Sequence, residues 1–363
     1  MKSLLVIPAF LLLGTSLVCA QQEASFREGA AIPESVTGST ATIAAYIRSH
    51  ASSGSDQVKM AYGWVITHIT YDIRSRDLVI LNEDRGILIR SALEKRRGVC
   101  ENFAYLFADL CKNLGFPALV VGGYTRQNGA VDRSPHAWVA VQLDNEWALY
   151  DPTWDAADVR YSRVAYFRTS PEVFIQTHMP FDPLLQFVNR PLSYDEFRKG
   201  RMEGDPASGV WDYKDSVAHY LEMCPLEQYL SAERRIQHNG TSNSMIDTKI
   251  TQLKMEIEII RQEEDSAHYQ GAVNAYNQAV ILLNDFINYR NNRFKPARSD
   301  SEVEALFSGM QDQITAAHTQ IRLVNESKAT LTLDTGGMEE ALGKLEREIS
   351  SEKDFYRANR PRR

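Results

Sequence analysis

The sequence is short of cysteine, of concentrated positive charge and of long apolar runs, and each shortage removes a class of protein. Its 363 residues carry 47 acidic against 40 basic side chains, a formal net charge of -7, and the one dense basic cluster is RANRPRR at 357–363. A protein that tracks a phosphate backbone needs a basic stripe, so nucleic acid is not an expected partner. The basic cluster reads as a solvated, frayed segment. Beyond the first twenty residues no apolar run approaches the roughly 18 residues of a membrane span. No glycine-rich phosphate loop supports a nucleotide cofactor. His68, His219, His238 and His318 are scattered without ligand spacing, so neither metal nor cofactor is expected.

What is there is an ordinary globular composition, 44% hydrophobic and 24% charged, with length for about two domains. The stretch MKSLLVIPAFLLLGTSLVCA has the positive start, apolar centre and small residues of a secretory signal peptide, with cleavage expected near Ala20. The expectation is an exported protein, periplasmic or secreted. A lipid anchor on Cys19 is the weaker alternative, because Val18 is a poor residue before a lipidated cysteine. Of the four cysteines, Cys100, Cys111 and Cys224 then remain. Cys111 could pair with Cys224 or sit in a core, which leaves Cys100 as the odd thiol.

Helical patterns come first. STATIAAYIRSH and SDQVKMAYGWVITHITYD read as two helices, the second capped by Ser55 and striped by Val58, Ala61, Tyr62, Val65, Ile66 and Ile69. SALEKRR leads into Gly98, and a helix from Cys100 to about Leu114 stops at GFP. Strands follow at ALVVGGYTR, SPHAWVAVQL and EWALYDPTW. Helices followed by strands indicate an α+β domain with an antiparallel sheet. From about residue 245 the texture is helical. Ile246, Ile250, Leu253, Ile257 and Ile260 form one heptad seam, and Val303, Leu306, Met310, Ile314, Ala317, Ile321 and Val324 a second. A broader amphipathic helix at 272–294 separates them, and a last one follows Gly336 and Gly337. The division expected is 1–20 signal peptide, 21–240 α+β domain with flanking linker, and 241–363 helical bundle or coiled-coil-like module.

A thiol becomes a strong nucleophile as a thiolate, which a helix N-terminus and a nearby imidazolium both favour. Cys100 opens an amphipathic helix after Gly98, which permits a tight entry. SPHAWVAVQLDNEWALYDPTWD supplies His136 and Asp151 on a hairpin. A four-residue loop would set them directly opposite; a two-residue turn at Asp144 and Asn145 would leave them one diagonal step apart on the same face. Either register gives nucleophile, base and orienting acid.

The order GVCENFAYLFADLCKNLGFPALVVGGY, then HAWVAVQLDNEWALYDPTWD, resembles the transglutaminase-like superfamily. YFRTSPEVFIQTHMPFDPLLQFVNRPLSYDEF is similar to the segment following the triad in its kyphoscoliosis-peptidase and cytokinesis-protein branch. The resemblance covers about residues 55–200. It implies a papain-like core with Cys100 as nucleophile, His136 as general base and Asp151 as orienting acid. It also implies a cysteine protease or amidase acting through a thioester on a peptide, protein or cell-wall amide. The alternatives are a protein-crosslinking acyltransferase and a non-catalytic peptide-binding scaffold that self-associates through the C-terminal helices. The backbone N–H of Cys100 is the natural first oxyanion donor; Trp64 and Tyr71 are candidates for a second. Trp138 and Trp154 read as packing beside the triad, and His178 as a structural hydrogen-bonding residue.

Overall fold

The computed structural model describes residues 26, 29–75, 84–158, 164–201, 212–330 and 333–359. The expected signal peptide, with Cys19 and Ala20, lies outside the described residues. Two compact units divide the chain, one up to Leu253 and one from Lys254 onward.

In the first unit α1 (Thr40–His50) is capped by the Ser39 hydroxyl, which accepts from the Thr42 N–H. The cap of α2 (Gly54–His68) is Ser53 and not Ser55, since the Ser53 hydroxyl takes the Asp56 N–H. Ser55 therefore falls inside the first turn. The stripe from Val58 to Ile66 is buried as its spacing requires. SALEKRR proves to be the end of a longer α3 (Arg85–Lys95), closed by Arg96 in the left-handed region at φ 52°. Two short strands, β1 (Thr70–Tyr71) and β2 (Arg97–Gly98), pair in parallel with Tyr71 opposite Gly98. From β2 the chain passes through Val99 into α4 (Cys100–Leu114), which buries Phe103, Leu106, Phe107 and Leu110 and ends at Gly115 with φ 97°.

The main sheet is antiparallel throughout: β3 (Ala118–Gln127), β4 (Ala130–Val131), β5 (His136–Leu143), β6 (Glu146–Tyr150) and β7 (His178–Pro180), with β3 paired to β4, β5 and β7. Side chains of β5 alternate between two cores. Ala137, Val139 and Val141 join α2 and α4, while Trp138 and Ala140 join Trp147, Leu149, Phe174 and Phe187. Both faces of the sheet are thus covered. β6 stops at Tyr150, and the strand expected to continue to Trp154 turns into α5 (Pro152–Asp158). Proline at the first helical position loses no hydrogen bond there. Among the described residues, the α-helices that follow in this unit are α6 (Pro171–Phe174), α7 (Tyr194–Lys199), α8 (Tyr213–Glu222), α9 (Pro225–His238) and the beginning of α10 (Ser244–Asn291).

Cys111 is buried in the apolar face of α4, Cys224 is exposed at the start of α9, and both are free, as is Cys100. The disulfide that Cys111 and Cys224 could have made is not formed, because the α4 amphipathic pattern draws Cys111 into the core.

The second unit comprises the rest of α10, α11 (Asp300–Asn325) and α12 (Gly336–Asn359). The patterns read as separate helices at 246–260 and 272–294 are one 48-residue helix. In α11 the buried seam is Val303, Phe307, Met310, Ile314, Ala317, Ile321 and Val324, with Phe307 in the place expected for Leu306. From Val303 to Ile321 these residues pack with Phe286, Leu342 and Leu345. Among the described residues no helix is long and apolar enough to cross a membrane.

Candidate active site

Cys100 is delivered by a tight entry into α4. A Cβ added at Gly98 would lie 2.4 Å from the Cβ of Asn102, so glycine alone leaves room for that side chain. Asn102 accepts the Val99 N–H at 2.9 Å and donates to the Leu88 carbonyl at 3.0 Å. It thereby satisfies one orphan donor of the helix start and ties that start to α3. Gly98→Ala is expected to cost about 1–3 kcal/mol of stability and to alter the alkylation rate of Cys100. Urea unfolding and peptide mass spectrometry check this, and an unchanged midpoint would show that the close approach is inconsequential.

The hairpin sets the other two residues. Asp144 and Asn145 adopt φ 54° and 62°, the left-handed pair of a two-residue turn that Asp and Asn tolerate. Leu143 pairs with Glu146 and Val139 with Tyr150, which excludes the four-residue loop. His136 and Asp151 consequently stand one diagonal step apart on the face of Trp138. His136 Nε2 lies 2.7 Å from Asp151 Oδ2. The other carboxylate oxygen, Oδ1, accepts the N–H groups of Thr153 at 2.9 Å and Trp154 at 3.2 Å, in the first turn of α5. Asp151 is fully buried, and the His136 side chain keeps 10% of its surface exposed.

His178 joins them, which its sequence position did not suggest. It is fully buried on β7, with Nε2 3.2 Å from the same Asp151 Oδ2 and Nδ1 2.7 Å from Thr177 Oγ1. Strand β3 brings it there, since Gly123 pairs with His136 and Thr125 with His178. Nothing in the local pattern around THMPFDP indicates this pairing, which is a property of the assembled sheet.

An ionised carboxylate only accepts hydrogen bonds, so both imidazoles direct an N–H at Oδ2. Burial pushes the Asp151 pKa up, but His136 first and then His178 outweigh it and hold the carboxyl below the usual range. For His136 burial pushes down, while the Asp151 charge and hydrogen bond, followed by the Cys100 thiol, leave the imidazole raised. With Nε2 committed to Asp151, Nδ1 is the nitrogen left for the Cys100 thiol. Burial takes His178 the other way, down to about 4, despite Asp151. The same carboxylate thus favours a proton on His136, whereas burial disfavours one on His178. Ligand atoms of His136, Asp151 and His178 lie within 4.8 Å of one another, a spacing a cation could use. Their hydrogen bonds already satisfy this arrangement without one.

Trp64 is fully buried on α2, stacked on His68 with Arg96 over its ring, and its indole N–H has no partner among the described residues. Tyr71 stands opposite Gly98, two residues before Cys100. Trp154, helical rather than extended, has its ring 5.6 Å from that of His136 and 4.4 Å from that of His178. Trp138 lies 6.2 Å and 5.1 Å from the same two rings.

The structure thus joins an imidazole bonded to a buried carboxylate, a thiol at the start of α4, and helices packed against an antiparallel sheet. Residues 41–152 match the family model of the transglutaminase-like superfamily, so the first unit carries a transglutaminase-like domain. The chain is 28% identical over 162 residues to kyphoscoliosis peptidase of Mus musculus and 29% over 157 residues to that of Homo sapiens. These matches cover 40% and 39% of this chain but 24% and 23% of the relatives, so the chain spans about a quarter of their length. An uncharacterized protein of Bacillus subtilis, YebA, is 24% identical over 136 residues, covering 34% of this chain and 18% of its own. Two crystal structures are similar at low overlap. One is a TGase at 24% identity and TM-score 0.24, covering 37% of this chain and 32% of its own. The other is the periplasmic domain of TgpA from Pseudomonas aeruginosa at 22% identity and TM-score 0.27, covering 39% and 50%.

Proposed function

We propose that the protein is an exported cysteine hydrolase acting on amide or peptide bonds. The observation that carries this reading is the 2.7 Å bond from His136 Nε2 to Asp151 Oδ2, with the opposite ring nitrogen left for the thiol that opens α4. Cys100 Sγ attacks the substrate carbonyl as His136 holds the thiol proton. The tetrahedral intermediate collapses to a Cys100 thioester, and His136 delivers the proton to the departing amine. Water, activated by the same imidazole, then attacks the thioester carbonyl and releases the acid and the free thiol. Asp151 keeps His136 in the tautomer and orientation that both steps use. The Cys100 backbone N–H, at the first position of α4, serves as oxyanion donor, with Trp64 or Tyr71 as the second. The name peptidase, carried by two relatives, is in keeping with hydrolysis. Export rests on the leader-like residues 1–20.

Against a panel of peptide amides, Cys100→Ala is expected to lower hydrolysis by about 10³-fold or more, and the wild type to show an acyl adduct on Cys100 by mass spectrometry. Hydrolysis retained in the variant would sink the assignment. Addition of a primary amine separates hydrolysis from acyl transfer, since a transferase incorporates the amine into product.

A further inference from the structure

We infer that His178 is a positioning residue of this site: it fixes the Asp151 oxygen that orients His136. The inference rests on the cysteine-hydrolase reading and adds a fourth member to its constellation. The two imidazoles address one atom, with His136 Nε2 at 2.7 Å and His178 Nε2 at 3.2 Å from Asp151 Oδ2. That oxygen cannot move relative to one ring without altering its bond to the other.

His178 is itself held on every side. Its ring stacks on Phe174 at 4.1 Å between centroids and is flanked by Trp154 at 4.4 Å, Trp138 at 5.1 Å and Tyr166 at 5.3 Å. With Nε2 donating to the carboxylate, Nδ1 lies 2.7 Å from Thr177 Oγ1, whose hydroxyl can donate to it when the ring is neutral, in place of its long 3.4 Å bond to the Phe174 carbonyl. Burial, aided by His136, disfavours a proton on this ring against Asp151 and, more weakly, Asp132. Neutrality matters chemically. A cationic His178 would divide the Asp151 charge between two imidazoliums, whereas a neutral donor leaves that charge to His136. Register supplies the spacing, because adjacent odd positions of β3, Gly123 and Thr125, pair with the two histidines.

His178→Phe keeps a stacked ring and removes the donor, while His178→Gln restores an N–H near the Nε2 position. The readout is iodoacetamide alkylation of Cys100 in the full chain over about pH 4 to 10, alongside thermal unfolding. His178→Phe is expected to slow alkylation below neutral pH by roughly tenfold, the equivalent of one hydrogen bond to a charged group, and to displace the profile to higher pH. His178→Gln should return both toward wild type. A lowered melting temperature in both variants with the profile unmoved overturns the inference. A wild-type profile indifferent to His136→Ala is a separate failure: it overturns the hydrolase reading itself, and this inference with it. ¹⁵N NMR of histidine-labelled wild type provides a check that needs no variant. His178 should stay neutral and Nε2-protonated over about pH 6 to 9, and an Nδ1–H tautomer or a ring titrating in that range overturns the inference.

Discussion

Asp151→Ala is expected to lower the unfolding free energy by about 3–5 kcal/mol, the cost of breaking a buried charge pair from one side. The carboxylate accepts from two imidazoles and two backbone N–H groups, and is fully buried. Alanine leaves those donors without an acceptor and the His136 imidazolium without its counter-charge. Asp151→Asn separates the two consequences. Its carbonyl can still take the Thr153 and Trp154 N–H groups, so the helix start survives. Its amide, however, confronts two imidazole N–H groups with a donor, and His136 must give up the Nε2 proton to remain bonded. Stability should fall less than in alanine, while Cys100 alkylation below neutral pH falls at least as far. Urea unfolding at neutral pH and the alkylation profile measure the two effects. A loss under about 1 kcal/mol in Asp151→Ala, the size of one ordinary hydrogen bond, would show that the carboxylate does not hold the site together.

His136 and Asp151, whose bond the structure shows, were legible because each announces itself locally, and Cys100 stands out in the same way. Cys100 follows Gly98 at the head of an amphipathic run, and His136 and Asp151 flank a short turn whose residues tolerate positive φ. Both hairpin registers were compatible with the pattern. The choice between them depends on whether Asp144 and Asn145 both enter the left-handed region, which is a matter of closing the strands against two cores. Pro152 after Asp151 was the overlooked signal. An acceptor followed by proline marks a helix start, and reading it so would have placed Trp154 on α5. His178 had no such signal, since a three-residue strand containing Pro180 finds its partner only once β3 is in place. The 48-residue α10 looked like two helices because its packing changes along its length: Ile246 and Leu253 belong to a core of the first unit, whereas Ala272, Ala279 and Phe286 belong to the core of the second. Its apolar stripe changes width at that change of partner although the backbone continues.

The dependence of stability on pH should reveal a second buried carboxylate, Asp155, acting against the first. Asp155 is 1% exposed and accepts the Ala165 N–H at 2.8 Å, the Tyr166 N–H at 3.0 Å and the Tyr62 hydroxyl at 2.5 Å. That hydroxyl also lies 2.9 Å from the Asp151 carbonyl oxygen. One phenolic hydrogen cannot serve two acceptors fully. When Asp155 is protonated it can donate to the Tyr62 oxygen, and the phenol is free to donate to Asp151. Burial, against the hydrogen bonds of Tyr62 and the backbone and aided by the Asp151 charge, pushes the Asp155 pKa up to about 6. The folded state then binds a proton that the unfolded chain, with a pKa near 3.9, has released. Stability from this group is therefore present below about pH 4 and lost as pH rises toward 6, by roughly 2–3 kcal/mol. The His136–Asp151 pair runs differently. The lowered Asp151 pKa gives stability that is present above the unfolded carboxylate range and lost as pH falls through the folded value. The raised His136 pKa gives stability present below about 6.5 and lost in alkali. Between about pH 4 and 7 the Asp155 slope can be isolated by comparison with Asp155→Asn, which keeps an acceptor for Ala165 and an N–H for the Tyr62 oxygen but does not ionise. The variant should gain about 2–3 kcal/mol relative to wild type across that interval in urea unfolding. A difference that stays constant with pH would mean that Asp155 is ionised in the fold at the same pH as in the unfolded chain, and that Tyr62 is bonded to it at the expense of the Asp151 carbonyl.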